Sequence, residues 1–256
     1  MLLAIDIGNT SIALGVFDGN TLSKHIHLST PSQLTADECR SLLDGSLDKQ
    51  KIKNHDVTEG VIGSVVPELT GIFEQAGESR FGCRPVIVSP AVKLPITIAY
   101  DYPEQLGADR IANAVAGFSM FGGPVIVVDL GTATKFEVVD ESGVYLGGAI
   151  TAGPETAMAA LADRAARLFE VPLEPPATVI GKSTEAALKS GLFYGTVGQV
   201  DYIIDRILDE TGFQECRTVA TGGFAVKIAE HSRHIRQIEP MLTLVGLRLI
   251  GEMNRG

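Results

Sequence analysis

Two short stretches place acidic, hydroxyl and glycine residues where they could handle a phosphate. Residues 3–17 read LAIDIGNTSIALGVF and residues 126–140 read IVVDLGTATKFEVVD. In each, an apolar run ends in Asp-x-Gly followed by Asn or Thr, then small or hydroxyl residues and a second apolar run. The runs predict a buried strand and its hairpin partner. Gly8 and Gly131 fall at the turns, where the lack of a Cβ lets backbone amides approach a ligand. Asp6 and Asp129 fall at the strand ends, so two carboxylates can face one gap. Amides, hydroxyls and a carboxylate together suit a phosphate with its Mg²⁺, because the amides and the metal offset the negative oxygens. A single such hairpin reads more readily as a tight structural turn; the second copy is what points to phosphate.

A third stretch, 98–118, reads IAYDYPEQLGADRIANAVAGF. Ile111, Ala114, Val115 and Phe118 recur at helical spacing and predict a helix from about Gly107 to Met120. Asp109 and Arg110 then occupy its first turn. An acid there is favoured by the positive helix end alone. Arg110 is not, and a carboxylate beside a guanidinium can serve as base and anion clamp in phosphoryl transfer. Both readings of Asp109 stand on local pattern.

Bulk properties narrow the class. The chain has 256 residues, 45% hydrophobic and 20% charged, which suits a soluble globular enzyme of two ordinary domains. A net charge of −10 without a Lys/Arg cluster argues against nucleic acid as a partner. The N-terminus MLLAIDIGNT lacks a basic segment and is broken by Asp6, unlike a signal peptide. No apolar run reaches the length of a membrane span. The expected location is therefore cytoplasmic, with no membrane partner. Cys39, Cys83 and Cys216 are scattered and form neither a zinc spacing nor a disulfide framework. His25 and His27 alternate along a predicted strand and read as one face of it.

The elements that position these residues follow in order. Thr21–Leu28 is a third strand, and Thr35 with Glu38 forms a capping-box pattern ahead of a helix Ala36–Leu47. Lys49–His55 reads as a loop, Gly60–Val66 as a buried strand ending at Pro67, Leu69–Gly77 as a helix and Pro85–Ser89 as a strand. Beyond the Asp109 helix, Pro124–Val128 feeds the second hairpin, and a turn is expected at Asp140–Gly143. Thr156–Phe169 is an expected helix, with Ala157, Leu161, Ala165 and Leu168 on one face. Ser183 or Thr184 caps a helix Glu185–Ser190, an interruption is expected at Gly191–Gly195, and Val197–Glu210 is helical again. Arg217–Thr221 is a strand ending at Gly222 and Gly223, and Leu242–Met253 closes the chain. Alternation of this kind predicts an α/β fold.

The repeated hairpin resembles the phosphate-binding hairpins of the superfamily of sugar and acetate kinases, actin and heat-shock chaperone ATPases. The wider set is more specific: DIGNT at 6–10, SVVP at 64–67, LGADR at 106–110, DLGTAT at 129–134, GGAI at 147–150, IGKST at 180–184 and TGG at 221–223. In this order and over nearly the whole chain it resembles type III pantothenate kinase. The resemblance implies two related domains, 1–118 and 119–256, each a mixed β-sheet flanked by helices in the actin-like, ribonuclease H-like manner, with a nucleotide cleft between them. It implies ATP-dependent phosphorylation of pantothenate, the first step of coenzyme A synthesis, with Mg²⁺ and a monovalent cation (K⁺ or NH₄⁺), by a homodimer.

Carried over residue by residue, the resemblance makes Asp109 the group that accepts or orients the proton of the pantothenate hydroxyl. Tyr100, Gly107, Ala108, Arg110 and Thr184 would line the pantothenate site, with Arg110 serving the substrate carboxylate or a phosphate. Asp6, Gly8, Asn9, Thr10, Gly131 and Thr132 would cradle the nucleotide phosphates, Gly222 and Gly223 its base and ribose, and Asp6 and Asp129 the cations. The family pattern usually has Thr where Lys135 stands, Asp at Glu137, Asn at Tyr102 and Ala-Pro-Gly at 151–153. Lys135 either extends outward from the hairpin on its apolar stem or reaches back to the phosphate site in place of a monovalent cation. These departures leave room for a second reading, a non-catalytic nucleotide-binding relative acting as an accessory factor.

Overall fold

Each apolar run that ends in Asp-x-Gly becomes the central strand of its own sheet. The computed structural model describes residues 1–82 and 84–255, so Cys83 lies outside it. The chain divides into two units, Met1–Ser119 joined by the segment from Met241, and Met120–Pro240.

In unit 1, β1 (Leu2–Ile7), β2 (Ser11–Asp18) and β3 (Thr21–Ser29) form an antiparallel meander. β4 (Glu59–Ser64) then pairs parallel to β1, and β5 (Val86–Ile87) parallel to β4, in the order β3-β2-β1-β4-β5. The crossover from β3 to β4 carries α1 (Ala36–Lys49), whose capping box is present: Glu38 N–H donates to the Thr35 hydroxyl, and Thr35 N–H to the Glu38 carboxylate. A 3₁₀ turn at Asn54–Asp56 lies in the expected loop. α2 (Pro67–Phe81) begins at Pro67, whose missing N–H costs nothing at a first helical position, and runs longer than expected. Leu3, Ile5 and Ile7 of β1 alternate toward one face, where Leu43 and Leu47 of α1 and Leu69 and Phe73 of α2 cover them. β6 (Thr97–Ile98) and α3 (Ala108–Phe121) follow. The rings of His25 and His27 meet edge to face on β3, 5.4 Å apart.

Unit 2 repeats the plan. β7 (Val125–Leu130), β8 (Ala133–Val139) and β9 (Val144–Ala152) form the meander, α4 (Pro154–Arg164) and α5 (Thr184–Thr211) the crossover, and β10 (Arg217–Thr221) pairs parallel to β7. α6 (Ala225–Ala229) and β11 (Gln237–Ile238), which pairs with β10, complete it. α4 ends at Arg164 instead of reaching Phe169. α5 is continuous through Gly191–Gly195, where an interruption was expected. Phe193, Val197, Val200 and Ile204 hold it against Ile126, Val128 and Phe136. Burying each is worth about 1.5–3 kcal/mol, against about 1 kcal/mol lost per helical glycine. Packing overrides propensity.

The last helix, α7 (Leu242–Met253), belongs to unit 1, not to the second domain as the expected 119–256 boundary had it. Its Leu242, Leu244, Leu247 and Ile250 are buried, and its glycines let it sit close. A Cβ on Gly251 would lie 3.1 Å from Leu2 and from Val61, and one on Gly246 would overlap the Ala112 carbonyl of α3. Among the described residues no helix is long and apolar enough to cross a membrane.

Gly246→Ala should therefore destabilise the protein by about 1–3 kcal/mol, read as a lower urea midpoint. An unchanged midpoint would mean that α7 is not seated on α3.

Candidate active site

The two hairpins differ by one turn residue, and that difference sets what faces each carboxylate. In the first, Ile7 pairs with Ile12 and Asp6 stands opposite Ala13. In the second, Leu130 pairs with Thr134, the turn is one residue shorter, and Asp129 stands opposite Lys135. Both turns close on themselves, Gly8 N–H donating to Ser11 O at 2.9 Å and Gly131 N–H to Ala133 O at 3.2 Å. Each is also braced by its third strand or the residues just after it. The Thr30 hydroxyl donates to Gly8 O at 2.6 Å. Gly153 N–H and the Thr156 hydroxyl donate to Thr132 O at 3.0 and 2.7 Å. These braces leave Asn9, Thr10 and Thr132 exposed at the turn tips.

Unit 1 gathers one set of candidate residues. Because β1 and β4 are parallel, Asp6 lies opposite Gly63 and both strands end together, Val65 N–H donating to Ile7 O at 3.0 Å. Ser64 bridges its own turn to Val66 and delivers the chain into α2. The start of α3 packs on this turn. A Cβ on Gly107 would come 3.4 Å from Val65 and 2.6 Å from Asp109 Oδ1, so a side chain there would push the Asp109 carboxylate from its position. Asp109 Oδ1 also accepts from Arg110 N–H at 2.8 Å. Arg110 is 6% exposed, and its guanidinium lies over the half-buried Tyr100 ring at 5.8 Å. Both readings of Asp109 thus hold locally: it lies in the first turn of α3, and it stands beside a buried cation. Ala108 is buried beneath.

Unit 2 gathers the other set. The Lys135 ammonium is 2.8 Å from Asp129 Oδ2, with side chains 16% and 13% exposed, so Lys135 does not extend outward to solvent. β10 brings Thr221 opposite Asp129, and the following turn presses onto β7. Gly222 has φ +90°, and a Cβ there would sit 2.6 Å from Leu130 O and 2.7 Å from Asp129 Oδ1. Gly223 is exposed beside it. Glu137, two residues past Lys135, is fully buried and accepts the Tyr145 hydroxyl at 2.6 Å. Thr151, another departure, accepts from Gln199 at 3.0 Å, while Tyr102 is 60% exposed. At the start of α5 the cap is Ser183, which accepts from Ala186 N–H at 3.1 Å, leaving Thr184 exposed at the first helical position. Thr184 therefore stands in unit 2, whereas Tyr100, Gly107, Ala108, Asp109 and Arg110 stand in unit 1.

Burial raises the Cys39 thiol to about 12 and the Cys216 thiol to about 11, which leaves both protonated and unreactive at neutral pH. What the sequence reading left undecided, the direction of Lys135, follows from the turn length, since one residue fewer in the second turn sets the pairing register.

A family model described as type III pantothenate kinase matches residues 2–206. Proteins named type III pantothenate kinase are 42% identical over 254 residues in Dehalococcoides mccartyi strain 195, covering 99% of this chain and 98% of that one. Another, in Exiguobacterium sp. AT1b, is 43% identical over 255 residues and the full length of both. Among solved structures, a protein assigned to a Baf family of transcriptional activators from Campylobacter jejuni superposes with TM-score 0.61 at 21% identity over 98% of each chain. The activator of the 2-hydroxyisocaproyl-CoA dehydratase from Clostridium difficile, with bound ADPNP, superposes with TM-score 0.58 at 12% identity over 98% of this chain and 93% of that one. At these identities the structural likenesses establish the fold, an actin-like α/β arrangement.

Gly222→Ala should cost about 1–3 kcal/mol and weaken ADP binding. Urea unfolding and calorimetry check both; wild-type values in each would contradict the packing of this turn on Leu130.

Proposed function

The chain belongs to the type III pantothenate kinase family, and on that premise we propose how its residues carry out ATP-dependent phosphorylation of pantothenate to 4′-phosphopantothenate, the first step of coenzyme A synthesis. The non-catalytic alternative gains nothing from the curated relatives, which bear the kinase name over the full chain length.

The observation that carries the assignment is the arrangement at the start of α3. A carboxylate at the helix start, Asp109, stands beside a buried guanidinium, Arg110, held over Tyr100. Phosphoryl transfer has a loose transition state, so positioning and charge stabilisation outweigh strong basicity. Asp109 orients the primary hydroxyl of pantothenate and takes its proton. Arg110, fixed by burial, meets the substrate carboxylate, and a guanidinium fork matches that anion in two hydrogen bonds. Tyr100, Gly107, Ala108 and Thr184 complete the pantothenate site. Asn9, Thr10, Gly131 and Thr132 cradle the phosphates of ATP with turn amides and hydroxyls, and Gly222 and Gly223 let its base and ribose lie against backbone.

Asp6 suits Mg²⁺. Among the described residues no three acidic, His or Cys side chains gather into a metal cage, and a Mg²⁺ that arrives with a nucleotide needs only one or two carboxylates beside phosphate and water. When bound, Mg²⁺ offsets charge on the phosphate oxygens. A mobile K⁺ or NH₄⁺ ion at Asp129 does not fit in the same way, because Lys135 occupies Oδ2 of that carboxylate.

The enzyme works as a cytoplasmic homodimer joined through unit 2. Among the described residues, all the exposed large hydrophobic side chains except Tyr102 and Met253 lie in that unit, among them Ile150, Leu161, Ile180, Tyr194 and Tyr202. Along α5, Gly191, Tyr194, Gly195, Gly198 and Tyr202 recur at helical spacing on the exposed side. A Cβ on any of those glycines would meet no atom within 4 Å, so the stripe can receive a closely approaching helix.

The direct test is ADP release from ATP and Mg²⁺ with and without pantothenate; nucleotide binding without pantothenate-dependent turnover would contradict the assignment. Asp109→Asn should lower kcat and kcat/KM together by roughly a hundredfold or more, with ADP affinity retained; near-normal turnover would remove Asp109 from the chemistry. Gly198→Glu should convert a dimer to a monomer in sedimentation at micromolar concentration, and a monomeric wild type would contradict the dimer.

A further inference from the structure

We infer that Lys135 supplies the positive charge of the second hairpin from within the chain, so that Asp129 takes up no mobile cation. The inference rests on the kinase reading and concerns how its phosphate site is electrostatically built.

Three observations carry it. The shorter second turn fixes Lys135 directly across the strand pair from Asp129, whereas the equivalent carboxylate Asp6 faces Ala13. The Lys135 ammonium lies 2.8 Å from Asp129 Oδ2, and both side chains are mostly buried. Such a pair is not an exposed ion pair that solvent can exchange at will, and removing either partner would leave a poorly solvated charge. Finally, the other carboxylate oxygen is crowded by glycine turns. Oδ1 lies against the Gly222 turn, so closely that a Cβ there would sit 2.7 Å away. One oxygen holds an ammonium and the other lies beside the Gly222 and Gly131 turns.

A free cation on this carboxylate would therefore add a second positive charge beside the first, with Coulomb repulsion that is weakly screened away from bulk water. It would also need several oxygen ligands. The lysine instead delivers a compact point charge on a stem anchored in β8, near the Gly131–Thr132 turn that cradles phosphate. Lys135 is in this sense a positioning residue. It neutralises Asp129 and keeps one positive charge at the turn whatever the salt contains.

The test compares wild type with Lys135→Met, which keeps the stem without the charge, and Lys135→Thr. ADP affinity in the presence of Mg²⁺ is measured by calorimetry in choline chloride, NaCl, KCl and NH₄Cl at equal ionic strength. Wild type should bind ADP equally in all four salts. Both variants should bind about tenfold or more weakly in choline chloride and recover in KCl or NH₄Cl, a cation-specific rescue that a merely structural lysine would not produce. Strong K⁺ dependence of the wild type, or variants as tight and as salt-indifferent as wild type, would overturn the inference. If neither variant folds, thallium-205 NMR of the wild type decides. A bound Tl⁺ signal displaced by K⁺ would contradict the inference, and its absence would agree with it. Because the readout is nucleotide affinity, a wild type that binds ADP but fails to phosphorylate pantothenate would count against the kinase reading and leave this inference standing.

Discussion

A carboxylate at the end of a buried strand must be met by positive charge or by donors, and that requirement shapes both halves of this chain. Strands β1 and β7 each carry an aspartate one residue before their ends, followed by a glycine turn and an antiparallel return strand. The aspartate is held by strand pairing on both sides. Its parallel neighbour, β4 or β10, ends beside it and delivers a further turn, Ser64–Pro67 in one unit and Gly222–Gly223 in the other. The meander followed by a parallel crossover is thus a device for bringing two turns and one carboxylate to the same sheet end. Helices supply the apolar side chains that pack against these strands.

Within that shared plan the halves have diverged in charge. The first hairpin sets Asp6 across the strand pair from Ala13, an uncharged residue. The second sets Asp129 against Lys135 at 2.8 Å. One residue of turn length separates these outcomes, because the register of a hairpin decides which side chain stands opposite which. The buried Glu137–Tyr145 pair further along β8 uses the same strand to carry polar groups inward, with the hydroxyl satisfying the carboxylate.

Much of this was legible in the residues themselves. The hairpins, the capping box at Thr35, the helix carrying Asp109 and the glycine turn at 222–223 all follow from local pattern, since each rests on neighbours in sequence. What escaped depends on neighbours in space. Gly191 and Gly195 read as a break, yet the apolar side of α5 holds the helix together. The last helix read as part of the second half, yet Gly246 and Gly251 let it pack on α3, β1 and β4 of the first. The direction of Lys135 stayed open between two alternatives, because whether a lysine extends to solvent or folds onto a carboxylate is settled by cross-strand register.

The central claim is that one hairpin works with a metal-borne charge and the other with a lysine. A crystal structure of the enzyme with a non-hydrolysable ATP analogue, Mg²⁺ and Tl⁺ tests it most directly. The account predicts metal density beside Asp6, the Lys135 ammonium within hydrogen-bond distance of Asp129, and no anomalous thallium peak there. Lys135 swung away with thallium bound at Asp129 would contradict it.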